Sequence, residues 1–223
     1  MNALLRRYHA LRCYVILARD PGRLDVVFGL RESLTDSEKL AEVVRDMRTD
    51  PYYRGVLDLG RRMPRLDLNA LQALPEGSLG RCFSDDMRAR GLDPADLPTL
   101  DAPDAESFLS AHLYETHDIW HTVTGFSTDI AGELGLQAFY AAQLAGPLPI
   151  AILSAGLLNT LLYAMDDREA RMDAIVRGWR LGRQARPLFG RAWDDMWHLP
   201  LREVRNMLGL APDLEGDVER MAA

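Results

Sequence analysis

The chain has 223 residues, of which 48% are hydrophobic and 26% charged, and carries a formal net charge of -7. That length supports one sizeable core, the composition is that of an ordinary globular chain, and the acidic balance argues against a general nucleic-acid binder. The two cysteines, Cys13 and Cys82, stand far apart with no C-x-x-C, which argues against a disulfide scaffold and fits a reducing compartment. Lys39 is the only lysine, which we read as the codon bias of a GC-rich bacterial genome.

The elements predicted in chain order are helical nearly throughout. Arg6, Arg7, Arg12 and Arg19 precede the first acid, Asp20. This basic start could pass for a transit peptide or a membrane-surface helix, but it lacks the apolar run and small-residue cleavage site of a secretory signal, and we read it as a first amphipathic helix. A short charged helix is expected from Ser37 to about Met47, ending before Asp50-Pro51. Residues 51–66 read as irregular, with Gly55, Gly60 and Pro64. Short helices follow over Leu66 to Leu74 and Leu79 to Arg90, then a Pro/Asp-rich connector to Pro103.

The central helix is expected from an Asp104 cap, with Glu106 in its first turn, to about Gly125. Ser127 or Thr128 is expected to cap the next helix, which breaks at Gly146-Pro-Leu-Pro149. An apolar segment runs from Ile150 to Met165. Asp166-Asp167 opens an arginine-rich helix ending near Pro187, and last helices are expected over 189–197 and 201–208. No convincing alternating strand pattern occurs, so the fold class expected is all-α: a single multi-helix domain over residues 1–223, with core helices over 104–165 and an apolar cleft or tunnel.

Three of the five histidines fall between residues 112 and 121. Leu113, His117, Trp120, His121 and Thr124 are related by steps of three or four, so they share one helix face, marked as core-facing by Leu113 and Trp120. Burying two imidazoles costs free energy unless each has a partner, and a shared cation serves both. Asp118 lies about 100° round the helix from His117, placed to bind the same ion from the side or to orient a histidine. Glu133 falls about one turn inside the next helix, from where it would close the site. Two histidines and two carboxylates suit a divalent metal, zinc before iron or manganese. The plain alternative is a pair of hydrogen-bonded core histidines, since H-x-x-x-H alone is a weak motif. H-E-x-x-H is absent, so a zinc-protease reading is poor.

H-D-x-x-H, eleven residues, then E resembles the signature of the coenzyme Q biosynthesis protein four family. The block from His117 to Glu133, with Met47-Arg-Thr-Asp-Pro, Met63-Pro-Arg65 and Leu74-Pro-Glu-Gly-Ser-Leu-Gly80 upstream and Trp193-Asp-Asp and Pro200-Leu-Arg-Glu-Val-Arg205 downstream, looks like the family's landmarks over roughly residues 40–210. The resemblance implies an all-helical, lipid-associated protein that handles polyprenylated benzoquinone precursors. Its activity would be a metal-dependent oxidative decarboxylation at ring C1, or its role would be that of a non-catalytic scaffold organising a quinone-biosynthesis complex. The metal and catalytic set implied is His117, Asp118, His121 and Glu133. The partners implied are an isoprenoid or quinone-like lipid, a membrane surface, other quinone-biosynthesis proteins and further copies of the chain. The short N-terminus fits a bacterial relative, expected in the cytoplasm and peripheral on the inner face of the membrane.

Leu134 to Met165 is unusually apolar but interrupted by Pro147, Pro149, Gln143 and Asn159, so it makes a poor membrane span. It reads as buried core helices, or as the wall of an isoprenoid site for which Phe139, Leu144, Ile150, Leu153 and Leu157 are candidates. Arg171, Arg177, Arg180, Arg183, Arg186 and Arg191 read as a solvated face with Asp173 and Arg177 as a pair, or as a contact for anionic head groups. Gly178 and Gly182 make a G-x-x-x-G that hints weakly at close helix packing. The His117-Asp118 doublet also resembles HD-type metal phosphohydrolases. Those need a further upstream histidine, and His112 lies on the wrong helix face for it.

Overall fold

A computed structural model describes residues 3–34, 37–96, 98–144 and 146–210. In chain order the helices are α1 Ala3–Arg19, α2 Leu24–Leu34, α3 Ser37–Met47, α4 Pro51–Leu59, α5 Leu68–Gln72, α6 Leu79–Ala89, α7 Ala105–Thr124, α8 Ile130–Gln143, α9 Pro147–Tyr163, α10 Arg168–Gln184 and α11 Leu201–Leu208. No strand occurs among the described residues, and one isolated antiparallel bridge joins Ser78 to Pro200. The chain is all-α, as its periodicity requires.

Four local readings are corrected. Residues 51–59 form α4 instead of an irregular stretch. Asp50 accepts a hydrogen bond from the Tyr52 amide, Pro51 sits in the first turn where no N–H is needed, and Gly60 closes the helix at φ 57°. Asp129, not Ser127 or Thr128, caps α8, its carboxylate accepting from the Gly132 amide at 2.7 Å. Gly146-Pro-Leu-Pro149 starts α9 as cap and first turn. Within 189–197 the helical structure is a single 3-10 turn, Trp193–Asp195.

The chain falls into two compact units: residues up to Val43 with Phe126–Arg183, and Val44–Gly125 with the residues from Gln184 on. In the first, α1 packs on α2 and α9, and α8 on α9, around Cys13, Leu17, Leu30 and Ala155. Small residues set the helix spacing. A Cβ on Gly156 would lie 2.3 Å from Leu134, and one on Gly178 would lie 1.9 Å from the Gly135 carbonyl oxygen. The Gly178–Gly182 pair therefore does serve close packing, of α10 on α8.

Arg171 departs from the solvated-face reading. It is 3% exposed, and its guanidinium donates to Asn159 Oδ1 at 2.8 Å, Thr160 Oγ1 at 3.0 Å and Asp167 Oδ2 at 3.1 Å. Asn159 in turn donates to the Ala18 carbonyl at 3.0 Å, tying the end of α1 to α9 and α10. Arg177 lies 4.3 Å over the Phe126 ring. The outer faces of this unit carry apolar side chains: Leu5, Tyr8, Leu11 and Val15 on α1, Leu161 and Leu162 on α9, Met172, Val176 and Trp179 on α10. No single described helix is long and apolar enough to cross a membrane. The bent pair Pro147–Tyr163 and Met165–Gln184 meets the length and composition for it, with a 120° break.

The second unit is built on α7, against which α4, α6 and α11 pack. Phe108, Leu109, Ile119, Trp120 and Val123 are its buried face, each large side chain contributing about 1.5–3 kcal/mol on leaving water. Two clefts open on this unit. One of about 240 Å³ is lined by Tyr52, Val56, Leu59, Arg61 and Gly190, and a more open one is lined by Arg65, Leu66, Asn69, Arg88 and Leu92 among others.

Candidate metal centre

The helix that carries the histidines is punctuated at both ends. At the start, Asp104 accepts from the Ser107 amide at 2.8 Å while Ser107 Oγ accepts from the Asp104 amide at 3.1 Å, a reciprocal capping box. At the end, Gly125 takes φ 70° and donates its N–H to the His121 carbonyl at 2.9 Å. From α11, Arg205 donates through Nε to the Val123 carbonyl and through Nη2 to the Thr122 carbonyl, both at 3.0 Å. The carbonyls of His121, Thr122 and Val123, in the last turn of α7, are thus answered.

His117 and His121, one turn apart, bring their Nε2 atoms to 3.3 Å, with rings 4.8 Å apart and at 89°. A tetrahedral zinc with Zn–N near 2.05 Å places two nitrogens roughly 3.3 Å apart. The pair therefore has the bite of a tetrahedral chelate. His121 is buried and His117 half-buried.

Asp118 turns aside from the pair. Its Oδ1 accepts from Arg90 Nη1 at 3.0 Å, an ion pair with both side chains largely covered. Arg90, just past the end of α6, is fixed further by Nε to the Asp86 carbonyl at 3.3 Å and by Nη2 to Met87 Sδ at 3.1 Å. The Thr122 hydroxyl lies 3.2 Å from the Asp118 carbonyl and 3.4 Å from Asp86 Oδ2. Glu133 stands in the first turn of α8, half-buried, its amide donating to the Asp129 carbonyl at 2.8 Å.

His112 plays a different part. It is 2% exposed, tilted against Phe108 and edge-on to Phe189, and its Nε2 accepts from the Gly190 amide at 3.1 Å. Burial pushes its pKa down to about 4, against the nearby Glu115 carboxylate, which favours the charged form; Arg62 adds to the fall. It is a neutral core histidine. Of the candidate lipid residues, Phe139 and Leu144 are buried, Leu153 is half-buried, and Ile150 and Leu157 are exposed.

Sequence reasoning did not single out Arg90 or Thr122. Arg205 was visible only as a member of the Pro200–Arg205 block, with nothing to say which carbonyls it answers. A helical protein with two imidazoles paired one turn apart on the central helix is the class these features define. The model of the family of coenzyme Q (ubiquinone) biosynthesis protein Coq4 matches residues 2–213, and the chain belongs to that family. It is 33% identical over 196 residues to the human mitochondrial ubiquinone biosynthesis protein COQ4 homolog, covering 86% of this chain and 72% of that one. It is 27% identical over 215 residues to the mitochondrial protein COQ4 of Yarrowia lipolytica, covering 91% and 79%. A crystal structure of a candidate ubiquinone biosynthesis protein from Nostoc punctiforme superposes with a TM-score of 0.80 at 30% identity, covering 92% of this chain and 98% of that one. The family works in ubiquinone biosynthesis.

Proposed function

We propose that His117, His121 and Glu133 hold one divalent cation, zinc before iron or manganese, and that the protein acts with it on the aromatic head of a polyprenylated quinone precursor, in an oxidative decarboxylation at ring C1 in which the carboxylate leaves as CO2, a hydroxyl takes its place and dioxygen is the oxidant. The observation that carries this reading is the 3.3 Å separation of the two Nε2 atoms within H-D-x-x-H of a Coq4-family chain. Bound there, the ion supplies Lewis acidity toward a phenolate or carboxylate. The chain supplies the rest: two imidazoles, one carboxylate, and a buried helix face that excludes water from one side.

The exposed apolar side chains of α9 and α10, beside the exposed Arg180 and Arg183, support contact with an isoprenoid lipid or a membrane surface. They favour a second reading, a lipid-binding scaffold that organises other quinone-biosynthesis proteins and carries its metal for structure.

Elemental analysis of the purified protein and of His117→Ala, with mass spectrometry of extracted lipid, separates the two. Near-stoichiometric metal lost in the variant, together with a prenylated compound and a loss of ring decarboxylation in His117→Ala and Glu133→Ala, is the expected result. Metal and lipid bound to the wild type, with ring decarboxylation unaffected in His117→Ala and Glu133→Ala, would leave the scaffold reading. Metal retained in the variant would overturn the site.

A further inference from the structure

The two sides of α10 differ. Gly178, Leu181 and Gly182 are buried, and the two glycines let the helix lie close on α8. On the opposite side Met172, Val176 and Trp179 are 45%, 51% and 48% exposed. Methionine, tryptophan and arginine are types that protein interfaces favour. Exposed charges border these apolar side chains and are sorted by sign along the helix. Glu169 and Asp173 precede Val176, and Arg180 and Arg183 follow it.

Helix geometry fixes what such a face can pair with. At about 100° and 1.5 Å per residue, Glu169 and Arg183 stand at equal heights below and above Val176, close to its own azimuth. Consider a second α10 laid antiparallel about a two-fold axis level with Val176. Glu169 then meets the copy's Arg183, and Asp173 lies beside the copy's Arg180. Met172 meets the copy's Trp179, and the two Val176 side chains touch at the centre. The axis makes every contact twice. A parallel pair would oppose like charges instead. An anionic lipid surface would attract the arginines but repel Glu169 and Asp173, so the charge order favours the copy.

We propose that the outer face of α10 is a self-association surface, on which two copies of this chain pair antiparallel about a two-fold axis at Val176. The pairing goes beyond the metal reading and does not rest on it. It leaves the exposed α9 side chains Ile150, Leu157, Leu161 and Leu162 for lipid. One helix pair is small beside a standard interface of about 1,600 Å², so the dimer is reversible, and the order of charges sets its direction.

Sedimentation velocity of the full chain from about 1 to about 100 μM tests this, with circular dichroism to establish that each variant is folded. Wild type is expected to pass from monomer to dimer over that range. Val176→Asp is expected to stay monomeric, because two carboxylates would meet on the axis. Glu169→Arg and Arg183→Glu are each expected to pair about tenfold more weakly, since each change acts twice. An equimolar mixture of these two variants, and the double variant Glu169→Arg/Arg183→Glu, are expected to recover the wild-type affinity. A wild type still monomeric at the highest concentration would overturn the proposal. So would a dimer unaltered in Val176→Asp, or a mixture that does not recover. A monomer that floats with anionic vesicles and loses that binding in Val176→Asp would assign the face to lipid and overturn it too.

Discussion

Lowering the pH should weaken the fold through His112, and the size of the effect follows from its surroundings. The imidazole is 2% exposed and is held neutral by its burial between Phe108 and Phe189, with its Nε2 accepting from the Gly190 amide. Its pKa is ordinary, near 6.5, in the unfolded chain and about 4 in the fold. Between those values the unfolded chain binds a proton that the folded one refuses. Stability therefore falls as pH drops from about 6.5 to about 4, and His112 adds no further slope outside that window. At about 1.4 kcal/mol per pH unit, the gap amounts to roughly 3 kcal/mol. Glu115 and Arg62, which face the ring with opposite signs, are common to wild type and variant. The assay is urea unfolding of wild type and His112→Phe at steps from pH 7.5 to 4. Phenylalanine keeps the ring packing; it orphans the Gly190 N–H, at about 1–3 kcal/mol, but also removes the His112 Nδ1 that is buried without a partner, and both effects are independent of pH. The stability difference should accordingly move by roughly 3 kcal/mol in the variant's favour as pH falls. Parallel curves for the two proteins across this range would refute the buried neutral histidine.

Three further outcomes are expected. Gly178→Ala should lower stability by about 3 kcal/mol or more in thermal melts, since its Cβ would come 1.9 Å from the Gly135 carbonyl oxygen and force α8 and α10 apart; an unchanged melting temperature would contradict that spacing. Arg171→Met should cost about 2 kcal/mol by leaving Asn159 and Thr160 without their buried donor. Arg171→Lys should recover little of it, because one ammonium cannot copy a planar fork that reaches three residues, and a full recovery would argue against the network. Asp50→Ala should cost about 1 kcal/mol in urea unfolding through the lost cap of α4, with Asp50→Asn near wild type; equal losses in both would assign the effect to something other than the cap.

The central helix was legible because its signals are local. Asp104, Glu106 and Gly125 punctuate it within one turn of each end, and the spacing of His117 and His121 alone puts both rings on one face. In the fold that spacing brings the two Nε2 atoms to 3.3 Å. What escaped was long-range or ambiguous. Asp50-Pro51 reads equally well as the end of α3 and as the cap and first turn of α4, and the stop was chosen where both hold. Arg171 was placed on a solvated face because arginine usually is. Only the fold brings Asn159 and Thr160 to it from α9, making burial tolerable. Arg90 and Asp118 are 28 residues apart, and no periodicity links them. The Asp129 cap lost to Ser127 and Thr128 because all three residue types cap helices well.

The Arg205 guanidinium and the Gly125 amide together hold the last turn of α7. Both nitrogens of the chelate hang on that turn and the one before it. For the cation proposed above, the two nitrogens already stand 3.3 Å apart on one ordered helix, so its capture should order little of that backbone. Small metal-dependent domains differ in this respect, since for them binding and folding are one event. Here a chelator should leave a folded, helical protein, and added metal should raise its melting temperature only by the mass-action increment that its concentration and affinity dictate.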